Sequence, residues 1–318
     1  ITPAKAEHIS HTDYETLWVD PFYMNDNFIA EKKLDGSRYM LYLGDVCRLV
    51  SRRISTVTGK YVDKTLNCPH LTRVFIPKEF WGTVIDGEMV HPKSEKSDST
   101  TSIMGCSPEE AVARQKENGW LKFCVYDIPK LAGEDLRSLP LRERSKKLMT
   151  LLKGLSKHIP VIAHPHVPYH RAKELYESVI AAGGEGIMLK DLNAPYGKGW
   201  FKVKKVITFD VIILGYEAPK KTSKKSDGRV SATYYHKEGL IGSVIFGAYK
   251  NGKIIELGTC SGMSESIRRE LSFKGDKYIG SVIEIKGQEL TKNNRIRNPR
   301  FVRFRVDKSK IQCRFEDI

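Results

Sequence analysis

The first sharp change in the apolar pattern comes where the run Phe28-Ile-Ala gives way to Glu31-Lys-Lys-Leu-Asp-Gly-Ser-Arg38. The run reads as a buried strand, and the chain must turn at Asp35-Gly36, so Lys33 stands at a strand end where it can be aimed into a pocket. Residues 39–43 and 47–51 read as a hairpin through Gly44-Asp45, with Arg52 and Arg53 projecting at its end. A further apolar run over 82–90 is interrupted by Asp86-Gly87-Glu88, which reads as an acidic turn delivering Glu88 to a pocket edge. Residues 93–102, rich in Ser, Thr and Lys, read as a solvated loop. Ser107-Pro108-Glu109-Glu110 has the N-cap, first-turn proline and early acids of a helix start, and Asn118-Gly119 ends that helix. A strand over 121–127 carries Tyr126 near its end. Periodicity of 3.6 predicts helices over 141–153 and 170–182, each closed by glycine. Strands over 185–190 and 200–205 follow, and on the second of these Lys202 and Lys204 must share a face.

Beyond Ile207 the texture shifts to short strands, at 209–216, 229–236, 241–249, 253–258 and 279–287, with one helix near 264–271. Asp227-Gly228 and Asn251-Gly252 are hairpin signals. This pattern suits a small barrel of the oligonucleotide-binding (OB) type. The length of 318 residues and the change of texture divide the chain into domains 1–207 and 208–318.

Charge alters this picture in one respect. Lys and Arg number 53 against 38 Asp and Glu, a net +15, and the 22 basic against 13 acidic residues after Ile207 put +9 of it in the second domain. A polyanionic partner such as nucleic acid follows, with the loops at 219–225 and 292–305 as its densest basic tracts. No apolar run approaches the roughly 18 residues of a membrane span, and no signal peptide is visible. The six cysteines, at 47, 68, 106, 124, 260 and 313, form neither C-x-x-C pairs nor sets with histidine at metal-ligand spacing. A reducing compartment is expected, cytoplasm (of a bacterium, or of a host if the source is viral) or nucleus. His164, His166 and His170 lie close in sequence, but the interleaved prolines deny them the helical i, i+4 geometry of a metal site.

A lysine amine is a nucleophile at neutral pH only where cationic neighbours, desolvation or a metal favour its neutral form. Any one of EKKLDGSR (31–38), SRR (51–53), DGE (86–88), VYD (125–127), EGIMLK (185–190), FKVKK (201–205) and RFRVDK (303–308) is a weak pattern. Seven in this order, over nearly the whole chain, resemble the ATP-dependent DNA ligases of the covalent nucleotidyltransferase superfamily. The resemblance implies an α+β fold: a nucleotidyltransferase (adenylation) domain of antiparallel sheets with flanking helices, then an OB-fold barrel.

It also implies a chemistry. Lys33 would attack the α-phosphorus of ATP to give a lysyl-AMP, AMP would pass to the 5′-phosphate of a nick in duplex DNA, and the 3′-hydroxyl would displace it. Each displacement rests on placement and charge neutralisation. By resemblance, Lys202 and Lys204 bind the α-phosphate and favour the neutral Lys33 amine. Glu185, with Glu88, would hold Mg²⁺, or Mn²⁺ in its place. Glu88 and Arg38 would meet the ribose, Glu31 the adenine amino group, and Tyr126 would stack on the base, where many relatives have Phe. Arg52, or less favourably Arg53, would grip the nick 5′-phosphate, and Asp35 would lie near the 3′-hydroxyl. In the barrel, Arg305 and Lys308 would orient pyrophosphate, with a hinge near 206–209. Lys220, Lys221, Lys224, Lys225, Arg295 and Arg297 are the expected DNA contacts.

A monomeric, minimal ligase is expected, of the kind found in viruses, phages and some bacteria, although the chain opens on Ile1 and not on methionine. An RNA ligase or a capping guanylyltransferase shares the lysine, but Glu185-Gly-Ile-Met-Leu-Lys190 is of the DNA-ligase style and many RNA ligases lack the barrel. The zinc and nicotinamide modules of NAD-dependent ligases are absent. A non-catalytic nucleic-acid-binding OB protein is disfavoured by the intact Lys33, Glu185, Lys202 and Lys204.

Overall fold

The computed structural model describes residues 7–8, 14–20, 22–55, 58–94, 96–205, 207–224, 230–288, 290–291 and 293–318. Expectations at Val206, Lys225, Asp227-Gly228 and Lys292 lie outside the described residues. The chain divides into two units, Ile1–Lys204 and Lys205–Ile318.

In the first unit the strands, in chain order, are β1 (Glu7–His8), β2 (Phe28–Lys32), β3 (Ser37–Tyr42), β4 (Arg48–Ile54), β5 (Tyr61–Asp63), β6 (Val84–Val90), β7 (Lys122–Leu131), β8 (Glu134–Asp135), β9 (Val161–Ala163), β10 (His166–Pro168), β11 (Gly186–Asp191) and β12 (Trp200–Lys204). They form two sheets. One has the order β1-β12-β11-β2-β10; the other runs β5-β4-β3-β6-β7-β8, with β9 beside β7. Pairing is antiparallel except for β1 with β12 and β9 with β7.

Alternation sorts the residues of the first sheet cleanly. Phe28, Ala30, Ile187, Leu189 and Val203 enter one apolar core with Leu17, Tyr169 and Val179. Their neighbours Ile29, Glu31, Met188, Lys190, Lys202 and Lys204 take the opposite face, because successive side chains on a strand point to opposite sides. A second core lies on the other sheet, where Leu148, Leu151, Leu152 and Leu155 of a helix over Leu141–Leu155 join Leu41, Ile85, Phe123 and Val125. These leucines recur at helical spacing, which is why the expected helix forms there. The helix over Pro108–Asn118 is capped as the sequence predicts, the Glu110 N–H donating to Ser107 Oγ at 3.3 Å.

Two expectations in this unit give way. Asp86-Gly87-Glu88 is no turn but the middle of β6, which runs unbroken from Val84 to Val90. Gly87 is there for close approach, since a Cβ would fall 2.6 Å from the Cys124 carbonyl oxygen on β7. Asp86 is buried in mid-strand with an arginine partner, Arg38. The solvated loop expected at 93–102 contains instead a helix, Ser97–Met104, whose Thr100, Ile103 and Met104 are buried. Its polar composition comes from the face turned away from the protein.

The second unit carries β13 (Ile207–Glu217), β14 (Thr222–Lys224), β15 (Val230–Ala232), β16 (Ser243–Lys250), β17 (Lys253–Cys260), β18 (Val282–Gly287) and β19 (Arg300–Phe304). Five of these form one antiparallel sheet, β17-β16-β13-β18-β19. A bridge between Ser261 and Arg300 brings its two edges together, so the sheet curls around a core of Phe209, Val211, Phe246, Leu257, Ile283 and Phe301. The Asn251-Gly252 turn has positive φ at both residues, 51° and 75°, as a two-residue hairpin of the primed type demands. The helix expected near 264–271 spans Glu265–Lys274. The strand expected over 229–236 shrinks to β15, after which Thr233 caps a single helical turn, Tyr234–Lys237. In compensation β19 arises from residues read as a basic loop: Phe301 and Phe304 pack inward while Arg300, Val302 and Arg303 face out.

Arg144 and Asp127 are fully buried and joined by two hydrogen bonds of 2.8 and 2.9 Å. Removing one member strands a charge in the core. Arg144→Met should therefore lower unfolding free energy by about 3–5 kcal/mol in urea titrations followed by circular dichroism, and Arg144→Met with Asp127→Leu should recover most of that loss.

Candidate active site

Between the two sheets of the first unit lies a cleft of about 1230 Å³. Its first wall is built by strand register. Lys33 follows β2 and donates its N–H to the Gly186 carbonyl at 2.8 Å. Gly186 stands opposite Lys204, Met188 stands between Glu31 and Lys202, and Lys190 between Ile29 and Trp200. The rows thus run from cationic at the Lys33 end to aromatic at the Trp200 end. Gly186 is obligatory in this wall: its φ is 133°, and a Cβ would fall 2.1 Å from the Val203 carbonyl oxygen.

At the cationic end the Glu185 carboxylate is gripped on one oxygen by the Lys33 ammonium and on the other by Lys204. All three side chains are mostly enclosed, at 18, 12 and 16% exposure for Lys33, Glu185 and Lys204. Lys202 shares their face. Its pKa is lowered by burial and by the cations of Lys204, Lys33 and Arg52, against the pull of Glu185. A strongly positive site with one internal anion is suited to binding phosphate.

The facing wall contributes Arg38 of β3, Arg52 and Arg53 of β4, Glu88 of β6 and Tyr126 of β7. Arg38 is clamped by Asp86, its Nε 2.8 Å from Oδ1, and the Tyr196 hydroxyl donates to the other Asp86 oxygen at 2.6 Å. Its guanidinium lies 5.6 Å from the Tyr126 ring and 5.3 Å from that of Trp200. The Tyr126 hydroxyl donates to Glu88 Oε2 at 3.4 Å. Burial raises the Glu88 carboxyl to about 7, although Lys33, Arg38 and Arg52 pull it down. Asp35 accepts the Ser97 N–H at 3.1 Å, which ties the Lys33 turn to the helix over Ser97–Met104. Glu31, which the sequence places at the base, is buried and paired with Lys190.

The structure thus brings together Glu31, Lys33, Asp35, Arg38, Arg52, Glu88, Tyr126, Glu185, Lys202 and Lys204 around one cleft. It adds Lys190 and Trp200, which sequence reasoning passed over. The same alternation that put Lys202 and Lys204 on one face extends to 200, and by strand pairing to 190. Asp86 and Tyr196 carried no comparable signal, because their roles depend on contacts between distant segments.

In the second unit Arg305 makes bonds of 2.9 and 3.0 Å to both Asp210 oxygens and further bonds to Asp307, and Lys308 also reaches Asp210. Lys220 and Lys221 are exposed, and Arg295 is exposed but paired with Glu256. Arg297 is partly buried, and the side chain of Lys224 lies outside the described residues. Among the described residues no three His, Cys, Asp or Glu side chains cluster as a ready-made metal site, and no helix is long and apolar enough to cross a membrane.

Glu88 yields a pH test. Its folded pKa of about 7 stands above the ordinary glutamate value, so ionising it opposes folding. Stability conferred by the protonated form is complete below about pH 4.5 and is lost as pH rises through 7. Urea titrations at pH 5 and pH 8 should show a decline, on the order of 1–2 kcal/mol, that Glu88→Gln removes; parallel behaviour of the two proteins would contradict it.

Comparison with known proteins identifies the family. A family model described as ATP dependent DNA ligase domain matches residues 18–204, and a DNA ligase OB-like domain matches residues 236–305. The chain is 29% identical over 308 residues to a DNA ligase of Methanoculleus marisnigri and 28% over 310 residues to that of Archaeoglobus fulgidus, covering 88% of this chain in each case. It spans about half the length of these curated relatives, 52% of each. Its fold is similar to that of a solved chain from a structure-function analysis of Lig E DNA ligases. There the TM-score is 0.61 and the identity 20%, covering 96% of this chain and 99% of the other. Since the first of the two family models alone spans more than half of its residues, the chain belongs to the ATP-dependent DNA ligase domain family.

Proposed function

We propose that this chain carries the catalytic machinery of an ATP-dependent DNA ligase, which joins the 3′-hydroxyl and 5′-phosphate of a nick in duplex DNA through a lysyl-AMP on Lys33. The observation that carries the reading is the Lys33–Glu185–Lys204 arrangement in a cleft that continues to Tyr126. For Lys33 to attack, its ammonium must release a proton to solvent and present the lone pair so freed to phosphorus; a phosphorus–nitrogen bond forms as the bond from phosphorus to pyrophosphate breaks and pyrophosphate leaves. Lys202 and Lys204 would neutralise the α-phosphate oxygens as charge develops. Arg38, fixed by Asp86, and Glu88 would meet the ribose, and Tyr126 would pack on the base.

A divalent cation fits this chain in a limited way. Glu185 supplies a hard oxygen ligand beside the phosphate-binding lysines, but the described residues offer no cluster of carboxylates. Mg²⁺ held by Glu185 together with nucleotide phosphates and water suits such a site, and when bound it would supply charge neutralisation at phosphate oxygens. Glu88, whose carboxyl is held partly neutral, suits a hydroxyl better than a metal. On the DNA side, Arg52 at the cleft is our candidate for the nick 5′-phosphate and Asp35 for the neighbourhood of the 3′-hydroxyl. Arg305 and Lys308, with pyrophosphate, and the basic residues Lys220, Lys221, Lys224, Lys225, Arg295 and Arg297, with DNA, complete the proposal.

Incubation with ATP labelled at the α-phosphate and Mg²⁺ should leave an acid-labile adduct, and Lys33→Ala should abolish it; label persisting on the variant would mean another lysine carries AMP. GTP and NAD in parallel, with nicked DNA and nicked RNA duplexes, separate this reading from the capping, NAD-dependent and RNA-ligase alternatives. Charge removal at Lys220 and Lys221 should flatten the dependence of log K on log salt for nicked DNA by roughly 0.9 for each DNA phosphate that is no longer neutralised. An unchanged slope would place those lysines off the DNA.

A further inference from the structure

The peptide that joins Lys32 to Lys33 is held at both ends. Its N–H, that of Lys33, donates to the Gly186 carbonyl at 2.8 Å, and its carbonyl, that of Lys32, lies 2.8 Å from Nε2 of His164. The ladder between β2 and β10 ends at Glu31, so the side chain of His164 carries the pairing one carbonyl further, up to the residue before Lys33. A carbonyl can only accept, so Nε2 bears the proton of the ring. Burial holds the His164 pKa below its ordinary value, with Lys190 and Lys32 adding to the effect and Glu31 and the bond to the Lys32 carbonyl opposing it. The ring is therefore neutral at pH 7, with that one N–H to give.

His164 is itself anchored on the other wall. It follows β9, which runs beside β7, and its backbone N–H donates to the Val125 carbonyl at 2.8 Å, one residue before Tyr126. One residue thus joins the peptide before Lys33, on the first sheet, to the strand of Tyr126, on the second, and it lines the cleft between them. Lysine is a flexible four-carbon stem. The fold can direct its nitrogen only through the peptide from which the stem springs and the groups that meet its tip. At Lys33 the tip meets Glu185, and the peptide is fixed by Gly186 and His164.

We propose that His164 is a positioning residue for the attack by Lys33: its Nε2–H fixes the plane of the Lys32–Lys33 peptide, and its backbone N–H ties that plane to the wall that carries Tyr126. The inference rests on the lysyl-AMP reading above. His164 acts through the backbone of Lys33 and not by contact with the reacting atoms. Misplacing a reacting atom by about 1 Å costs on the order of a hundredfold in rate. Loss of the His164 bond therefore shows in the rate of adduct formation and hardly at all in nucleotide binding.

The test compares the full chain with variants that move or delete this one donor. His164→Gln sets an amide nitrogen as many bonds from Cβ as Nε2 is, whereas His164→Asn sets it at the place of Nδ1, out of reach of Lys32. Replacing His164 by 4-thiazolylalanine keeps the ring and puts a sulfur without hydrogen where Nε2–H stands; it decides the matter if the asparagine chain fails to fold. His164→Asn and the thiazole should slow the transfer of AMP from ATP to Lys33 by roughly ten- to hundredfold in single turnovers, while affinity for α,β-methylene ATP, which cannot release pyrophosphate, shifts by less than about threefold. His164→Gln should restore most of the rate. Joining of a nick supplied already adenylylated does not use the Lys33 amine as nucleophile, and it should suffer far less than adduct formation in every variant. An equal loss in both reactions would mark general damage to the fold and overturn the proposal, as would a wild-type rate in the asparagine and thiazole chains or a glutamine chain as slow as the asparagine one. Should the wild-type chain bind ATP and form no adduct on Lys33, the ligase reading fails and this inference with it; should the adduct form at a rate the substitutions leave alone, this inference alone fails.

Discussion

One carboxylate sets the terms for the cleft. Glu185 takes the Lys33 ammonium on one oxygen and that of Lys204 on the other, with Lys202 on the same face. Like charges brought this close in a partly enclosed site repel strongly unless an anion lies among them. Glu185 supplies it, so the lysines are held in place by the fold. It can do so only because Gly186, the next residue, lets β11 press against β12 where a side chain would collide with the Val203 carbonyl.

From that point the wall is a consequence of register. With β2, β11 and β12 paired as they are, every second residue faces the cleft, and charged, mixed and aromatic rows succeed one another. A slip of one residue in β12 would send Val203 to the cleft and Lys202 and Lys204 into the core, and one in β2 would do the same to Phe28 and Ala30 in exchange for Glu31. The apolar core behind the sheet therefore does more than stabilise: it excludes the wrong register and so protects the order of the rows.

Much of this was legible because it is local. Lys33 at a strand end, Lys202 and Lys204 on one face, the Ser107 cap and the Asn251-Gly252 turn all follow from periodicity or backbone preference within a few residues. What escaped was decided by distant partners. Asp86-Gly87-Glu88 has the composition of a turn, but Arg38 from β3 neutralises Asp86, and the approach of β7 requires a glycine at 87, so the strand continues. The helix over Ser97–Met104 is polar by sequence and buries just one side. β19 is hidden by its arginines, although Phe301 and Phe304 fill the barrel core from beneath them. Trp200 and Lys190 differ from these cases, since alternation within β11 and β12 pointed to them.

The second unit solves the same electrostatic problem in the same way. Asp210 on β13 accepts from both Arg305 and Lys308, as Glu185 does from Lys33 and Lys204. In each unit a carboxylate fixed on a strand, or immediately before one, holds two cations that the sequence resemblance associates with phosphate. A phosphate entering either cluster must compete with an internal anion for its cations, which weakens binding relative to bare charge but leaves the cations already oriented. Such an arrangement favours ligands with several negative oxygens over those with one, because a polyphosphate can replace both bonds of the carboxylate at once. On the function proposed above, selectivity for a phosphate chain would come from charge placement, and selectivity for a base would be left to the aromatic end of the cleft.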